Sequence, residues 1–298
     1  MTRATRAFAW RTDKGRVRKR NEDAVRVEPE DGLVVVADGM GGARGGDVAS
    51  RLAADTIDRR LQQDALSLAD PTGAQRLIAA AIEEANRAVF ERSRCASELA
   101  GMGTTVVVGY LAASWLAYGH VGDSRLYRLR AGVLQQLTRD HSYIQDVVEQ
   151  GLFPSRSAAR DFGINEHMLS RAVGTAADVS AATDVSDLVP GDLFLFCTDG
   201  LSGMLSDETL GELLTGVESD LDTIADQLVQ RALDSGGLDN ITLVLVRIGP
   251  STKADRSEFR GARFEEDKTD QQVLRATNRK QACDGFRDVS ITTCAVVG

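Results

Sequence analysis

Sulfur and imidazole ligands are scarce in this chain. Its 298 residues include four cysteines and three histidines. The cysteines form no CxxC pair and no metal-ligand spacing, so neither a disulfide scaffold nor a zinc site is expected. The small number of histidines also disfavours a histidine-rich metal centre.

Long apolar runs and an excess of positive charge are missing as well. No stretch approaches the ~20 apolar residues of a membrane-spanning helix, and the opening MTRATRAFAW lacks the apolar run of a signal peptide. We therefore expect a cytoplasmic protein. The 44 acidic and 35 basic residues give a net charge of −9, which argues against a nucleic-acid-binding protein with a basic face.

The composition is otherwise that of a globular protein, with 43% hydrophobic and 27% charged residues. Residues 5–249 are predicted to form one domain, because they hold several Val-, Leu- and Ile-rich runs bounded by Gly, Asp or Pro. The predicted strands are Leu33–Ala37, Thr104–Leu111, Trp115–Val121, Arg125–Leu129, Val133–Leu137, Leu193–Thr198 and Ile241–Ile248.

Helical periodicity predicts an early pair of long helices near residues 49–61 and 78–89, and later helices near 141–151 and 224–233. Since helices and strands do not alternate regularly, the pattern favours an α+β fold with packed antiparallel sheets over a doubly wound fold. Residues 155–167 have weak periodicity and predict a mobile insertion. Residues 250–298 become polar and predict a disordered tail.

Two segments of the chain share one pattern. VVVADGMGG ends a strand at Asp38-Gly39, and LFLFCTDGLSG ends another at Asp199-Gly200. In each, a buried strand fixes the position of a carboxylate, and the following glycine allows a sharp turn or the close approach of an ion to the backbone. A single Asp-Gly after a strand is usually only a turn, so the pattern gains meaning from its repetition.

Further acids stand at predicted strand edges. Asp123 follows WLAYGHV, and Asp239 precedes the last strand. Glu22 and Asp23 lie in RKRNEDAV, where neighbouring side chains of an extended segment point to opposite faces and need not share a role. Asp123 could alternatively form an ion pair with Arg125.

Carboxylates that converge at sheet edges repel each other strongly unless a cation lies between them. Oxygen ligands select Mg²⁺, Mn²⁺ or Ca²⁺ over Zn²⁺. An aspartate that bridges two such ions would create a two-metal site. A two-metal nuclease or phosphodiesterase is one alternative, although the negative net charge disfavours it.

The chain resembles the type-2C metal-dependent protein phosphatase family (PPM) in its compact bacterial form. The resemblance covers nearly all of residues 5–249, and its motifs occur in family order. They are RKRNEDAV, VVVADGMGGARGGDVAS, GTTVVVGYL, GHVGDSRLYRLR, LTRDHS, LSRAVG, LFCTDGLSGML and DNITLVLV. It implies a four-layer αββα sandwich, in which helix pairs flank two central antiparallel β-sheets.

The resemblance also implies an activity, namely hydrolysis of phosphoserine and phosphothreonine in proteins by direct attack of a metal-bridging hydroxide. Asp38 would bridge two Mn²⁺ or Mg²⁺ ions, and the Gly39 carbonyl would bind one of them. Asp199 and Asp239 would complete the direct ligands of the other. Asp123 would recruit a weaker third ion.

Three more positions carry implied roles. Glu22 and Asp23 would hold metal-bound waters or lie just outside the direct ligands. Arg18 would grip the substrate phosphate, since the guanidinium fork matches two phosphate oxygens. One departure is Met40, which stands where many eukaryotic members carry a histidine proposed as general acid.

Partners follow from the resemblance alone. They would be phosphorylated proteins, with a cognate bacterial Ser/Thr kinase and its targets foremost, and the enzyme would act as a monomer. Residues 152–170 resemble the family's flap beside the active site and are candidates for substrate selection. Two alternatives share the fold, a phosphatase for a partner-switching regulator and a catalytically inactive binding module.

Overall fold

The computed structural model describes residues 3–64, 67–166, 168–215 and 220–252. His167 and most of the predicted tail lie outside these ranges. Two antiparallel sheets form the centre of the described part. The first contains, in spatial order, β1 (Arg3–Asp13), β11 (Ile241–Thr252), β10 (Leu193–Cys197), β7 (Arg125–Arg130) and β8 (Val133–Gln136). The second contains β2 (Asp23–Glu28), β3 (Leu33–Met40), β5 (Val106–Leu111), β6 (Trp115–Val121) and β9 (Ala182–Asp187), with β4 (Gly103–Thr104) paired to β3.

Helices cover the outer face of each sheet. The second sheet packs against α1 (Gly42–Gln63) and α2 (Pro71–Cys95), and the first packs against α5 (Asp199–Ser202), α6 (Asp207–Thr215) and α7 (Leu221–Asp234). Two short helices, α3 (Tyr143–Glu149) and α4 (Arg156–Asp161), share a small apolar cluster of their own. No helix in the described ranges has the length and apolarity to cross a bilayer.

The central strands explain why the sequence shows continuous apolar runs. In β3, Val34 and Val36 pack between the sheets, while Val35 faces α1 and α2. In β10, Phe194 and Phe196 enter the same inter-sheet layer, and their neighbours pack against the outer helices. Strands buried on both faces read as unbroken apolar runs. Three hydrophobic layers between four layers of structure confirm the predicted αββα sandwich.

Three of the described strands, β1, β2 and β9, were not predicted from the sequence. β1 carries arginines among its apolar residues, and β9 is a largely polar strand at the edge of the second sheet. β2 follows directly after the RKRNE stretch and is only partly buried. The last strand continues to Thr252, where it pairs with Arg3 of β1, and α4 lies within the segment predicted as an insertion.

Candidate active site

A cavity of about 1160 Å³ opens where β3 and β10 end and β11 begins. All but one of the predicted site residues line it. They are Arg18, Glu22, Asp38, Gly39, Asp123, Asp199 and Asp239. The exception is Asp23, which lies buried behind the cavity wall and accepts a hydrogen bond from Thr198 Oγ1 at 3.1 Å. Glu22 and Asp23 thus face different surroundings, as their alternation in an extended segment predicts.

The end of β3 holds Asp38 through its backbone. Asp38 N donates to Thr105 Oγ1 at 3.1 Å, and Thr104 Oγ1 donates to Asp38 O at 2.8 Å. The next residue must be glycine, because a Cβ on Gly39 would lie 2.0 Å from Gly46 O in α1. The close approach of the two backbones therefore fixes the peptide that carries the Gly39 carbonyl.

The second Asp-Gly pair meets the start of β11 in the same way. A Cβ on Gly200 would lie 1.9 Å from the backbone oxygen of Asn240. Asp199 and Asp239 are the residues just before these two contacting positions, so close backbone packing brings them into one cavity. The carboxyl groups of Asp38 and Asp199 lie within hydrogen-bond reach of each other.

Asn240 is a site residue that sequence reasoning missed. Its Nδ2 donates to Lys14 O and Arg20 O, both at 2.8 Å, and its Oδ1 accepts from Glu22 N at 2.8 Å. The side chain is buried and ties the loop that carries Arg18 to the start of β11. The one sequence signal for a role of Asn240 is its position directly after Asp239, a predicted metal ligand.

The loop after β6 is anchored from two sides. Ser124 Oγ and Thr105 Oγ1 are 2.6 Å apart, which links this loop to the residue that holds Asp38. Gly122 N donates to His141 Nδ1 at 3.2 Å. Asp123, which lies between these two contacts, is therefore held in place by its neighbours' hydrogen bonds.

Burial and mutual repulsion raise the pKa values of three acids, Asp23, Asp38 and Asp123. The pKa of Asp38 lies well above its ordinary value, first because of burial and then because of the charges on Asp23 and Asp199. Burial, followed by the charge on Asp199, raises the pKa of Asp123 to about 7. Burial also raises the pKa of Asp23 to about 7, against the hydrogen bonds from Thr242 and Thr198. A cluster of this kind needs protons or a cation to be stable.

The pKa of Glu22 is raised by burial and then by the neighbouring carboxylate of Asp47 in α1. The sequence interpretation did not include Asp47. Its proximity to Glu22 extends the acidic region toward the first helix, although Asp47 does not line the cavity.

The acid cluster suits a hard divalent cation. Asp23 Oδ1 is buried and accepts no hydrogen bond within the described part of the chain, and several neighbouring carboxyls are too close to ionise without charge compensation. As the side chains stand, no three His, Cys, Asp or Glu side chains among the described residues enclose a common ion position. Mg²⁺ retains several waters and needs only one or two carboxylates, so this donor set still fits.

Arg18 forms an ion pair with Asp239, one acid of the cluster. Its Nη2 donates to Asp239 Oδ2 at 2.6 Å, and about half of its side chain is exposed (51%). The guanidinium supplies a positive charge to a carboxylate that the resemblance assigns to a metal. To bind a phosphate, the Arg18 guanidinium has to break its hydrogen bond to Asp239 or donate to Asp239 and to the phosphate at the same time.

Asp140 is a buried hub beside the cavity. Its side chain is 1% exposed and accepts two hydrogen bonds from Arg125, at 2.9 and 2.7 Å. Arg156, the first residue of α4, donates to the same carboxylate at 2.5 Å. The Arg125 guanidinium holds the pKa of Asp140 below its ordinary value despite burial. The alternative pairing of Arg125 with Asp123 is therefore wrong, and Asp140 instead connects β7 to the flap.

The two described histidines lie behind the cavity wall. His120 and His141 are buried and stacked, with ring centroids 4.6 Å apart. Burial lowers the pKa of both rings, to about 3 for His141. Neither lines the cavity, whereas Met40 does. No histidine in the described part of the chain is thus placed to protonate a leaving group.

Comparison with known proteins agrees with this geometry. The family model described as Protein phosphatase 2C matches residues 14–236. The serine/threonine phosphatase stp of Listeria monocytogenes is 37% identical over 241 residues, which cover 80% of this chain and 94% of that protein. The chain belongs to the protein phosphatase 2C family and is a protein phosphatase, which confirms the family and the enzyme class predicted from sequence.

Solved structures show the same fold. The catalytic domain of the phosphatase PstP, in complex with two manganese ions, matches with a TM-score of 0.72 and 33% identity, covering 83% of this chain and 100% of that one. The serine/threonine phosphatase of S. agalactiae matches with a TM-score of 0.75 and 30% identity over 82% of this chain and 99% of that one.

Proposed function

We propose that this enzyme hydrolyses phosphoserine and phosphothreonine in proteins and that it depends on Mn²⁺ or Mg²⁺. The observation that carries this proposal is the convergence of acids from separate parts of the chain on one cavity, where burial and nearby carboxylates raise the pKa values of Glu22, Asp38 and Asp123. The named relatives are serine/threonine phosphatases, and PstP binds two manganese ions. The activity resides in the domain predicted as residues 5–249, since every residue that lines the cavity falls within it.

The proposed metal ligands are Asp38, the Gly39 carbonyl, Asp199 and Asp239, with Asp123 serving a weaker third ion. Such ions acidify a coordinated water and offset the charge of a phosphoryl group. Glu22 shares the cavity with these ligands and can accept hydrogen bonds from ordered water.

The protein's own groups position the substrate. Arg18 is exposed enough to turn from Asp239 toward a phosphate, where it can donate two parallel hydrogen bonds. Met40 cannot donate a proton, so the leaving serine or threonine oxygen takes its proton from water in the cavity. The proposed enzyme acts as a monomer, and its proposed partners are a Ser/Thr protein kinase and the targets of that kinase.

The test compares the wild-type protein with Asp38→Asn, Asp199→Asn and Asp123→Asn. Phosphate release from a phosphothreonine peptide is measured in Mn²⁺ and in EDTA, beside an aryl phosphodiester, and Mn²⁺ binding is measured by calorimetry. EDTA should abolish release, and the diester should remain intact. Asp38→Asn and Asp199→Asn should each lower activity and Mn²⁺ affinity by at least about a hundredfold.

Asp123→Asn should slow turnover while the tighter ions still bind. Asp178→Asn, an exposed change outside the cavity, is the matched control and should behave as wild type. Full activity and unchanged Mn²⁺ affinity in Asp38→Asn protein would reject the assignment, and preferential cleavage of the diester would favour a nuclease-like enzyme.

A further inference from the structure

The flap side of the cavity carries three arginines, Arg156, Arg160 and Arg171. Two of them are held by carboxylates. Arg156 donates to Asp140 at 2.5 Å, and Arg160 donates to Glu166 at 3.4 Å. Arg171 is exposed and has no carboxylate partner within the described ranges. A positive charge that faces the cavity is therefore left without a carboxylate partner from the described part of the chain.

The backbone around Arg171 is fixed rather than loose. Val173 and Thr104 exchange two backbone hydrogen bonds, at 2.8 and 2.9 Å, and Ser170 N donates to His141 O at 2.9 Å. Arg171 thus lies between two anchored positions, and its side chain leaves a rigid segment. Because the backbone that carries Arg171 is already held by hydrogen bonds, little backbone entropy is lost when the guanidinium binds a ligand.

This segment lies close to the catalytic aspartate. Thr104, which pairs with Val173, donates from its Oγ1 to Asp38 O at 2.8 Å. Arg171 is two positions from Val173 along the chain, and an extended chain advances roughly 3.5 Å per residue. A bound polypeptide whose phosphorylated residue reaches Asp38 would bring residues about two to four positions away past the guanidinium.

We propose that Arg171 forms a substrate subsite that binds a second anionic side chain, a carboxylate or a second phosphate, near the phosphorylated residue. The proposal rests on the proposed phosphatase function and names the substrate class that the site prefers. The guanidinium fork matches both anions. The subsite also supplies local attraction for acidic segments, which the overall net charge of −9 would otherwise repel.

The experiment uses three phosphothreonine peptides of equal length. One has neutral flanks, one carries Glu at positions −3 and +3, and one carries a non-hydrolysable phosphonate analogue of phosphoserine at those positions. The measured quantity is kcat/KM for each anionic peptide divided by that for the neutral peptide, with Mn²⁺ present. The enzymes are wild type, Arg171→Ala, Arg171→Lys and the control Arg92→Ala, which removes an exposed charge from α2 outside the cavity.

The wild-type ratio should be about three- to fivefold for at least one anion, the size expected for one exposed charge pair, and it should shrink at high salt. Arg171→Ala should bring the ratio close to one, Arg171→Lys should keep part of it, and Arg92→Ala should keep all of it. A preference confined to the phosphonate peptide identifies a second phosphate as the ligand, and a preference confined to Glu identifies a carboxylate.

Two results would overturn the subsite. One is an Arg171→Ala ratio equal to the wild-type ratio. The other is an equal loss on all three peptides, which would assign Arg171 to the hydrolysed phosphate itself. If wild-type enzyme hydrolyses all three peptides at the same rate, the subsite alone fails, whereas no phosphate release from any peptide would refute the proposed function instead.

Discussion

Removal of divalent cations should make the stability of this protein depend steeply on pH. Burial raises the pKa of Asp23 and of Asp123 to about 7, from an ordinary value of 3.8. Between about pH 4 and pH 7, the folded state therefore holds protons that the unfolded chain has already released. Because the folded state binds more protons in this window, the free energy of unfolding must fall as the pH rises.

The magnitude follows from the same values. A carboxyl whose pKa is about 7 instead of 3.8 destabilises the folded chain by roughly 4 kcal/mol once it is ionised. The acids interact, so their protons leave in steps that belong to the cluster and the individual contributions do not add. Since a whole domain is stable by only about 5–15 kcal/mol, even one such contribution is large. Bound cations reverse the trend, because they bind the deprotonated acids and release protons.

Urea unfolding at pH 5, 6, 7 and 8 measures the effect, once in EDTA and once in saturating Mn²⁺. In EDTA, the free energy of unfolding should fall by about 3 kcal/mol or more between pH 5 and pH 8, because roughly two of the three pH units between the unfolded and the folded pKa lie in this window. In Mn²⁺ it should stay level or rise. Asp23→Asn should flatten the EDTA curve and stabilise the cation-free protein at pH 8, whereas the exposed control Asp178→Asn should leave the slope unchanged.

The reasoning fails if the EDTA-treated protein is equally stable at pH 5 and pH 8. It fails equally if Asp23→Asn keeps the wild-type slope, because Asp23 would then not be one of the protonated acids. Calorimetric titration with Mn²⁺ in two buffers of different ionisation enthalpy gives an independent count of the protons released.

Two further substitutions test the supports of the site. Asp140→Asn should lower the free energy of unfolding by about 3–5 kcal/mol, because it leaves Arg125 without its buried partner. The control Asp187→Asn, which removes an exposed ion pair, should cost below about 1 kcal/mol. If urea unfolding gives similar losses for both variants, the buried carboxylate of Asp140 does not stabilise the fold as proposed. Asn240→Ala removes three hydrogen bonds and should lower the free energy of unfolding by about 3 kcal/mol. The amide hydrogen of Glu22, which loses its acceptor, should exchange faster with solvent. If it still exchanges slowly in the variant, other contacts hold the loop that carries Arg18.

Local sequence was sufficient for features that depend on burial and turn chemistry. The runs before Asp38 and Asp199 predicted strands because both faces of these strands are buried, and their tips then delivered the two acids. Gly132, just before the predicted strand Val133–Leu137, is likewise typical of a turn, and Ala131 and Gly132 adopt positive φ, 50° and 80°, where β7 turns into β8. These features need only neighbouring residues, so their pattern survives in the linear chain.

Strands with mixed patterns were not predictable in this way. β1 and β9 carry polar residues at many positions, and each becomes a strand because a long neighbour, β11 or β6, supplies its hydrogen bonds. Pairing partners far away in sequence override weak local preference.

The sequence by itself determined which acids stand at strand tips and which fold class brings such tips together. Only the tertiary structure decided what holds them there. Asn240 joins a loop more than 200 positions away to β11, and the buried carboxylate of Asp140 connects a strand to the flap. The physical reason is that apolar periodicity is a local record of burial, whereas a hydrogen bond between distant segments leaves no periodic trace in either one.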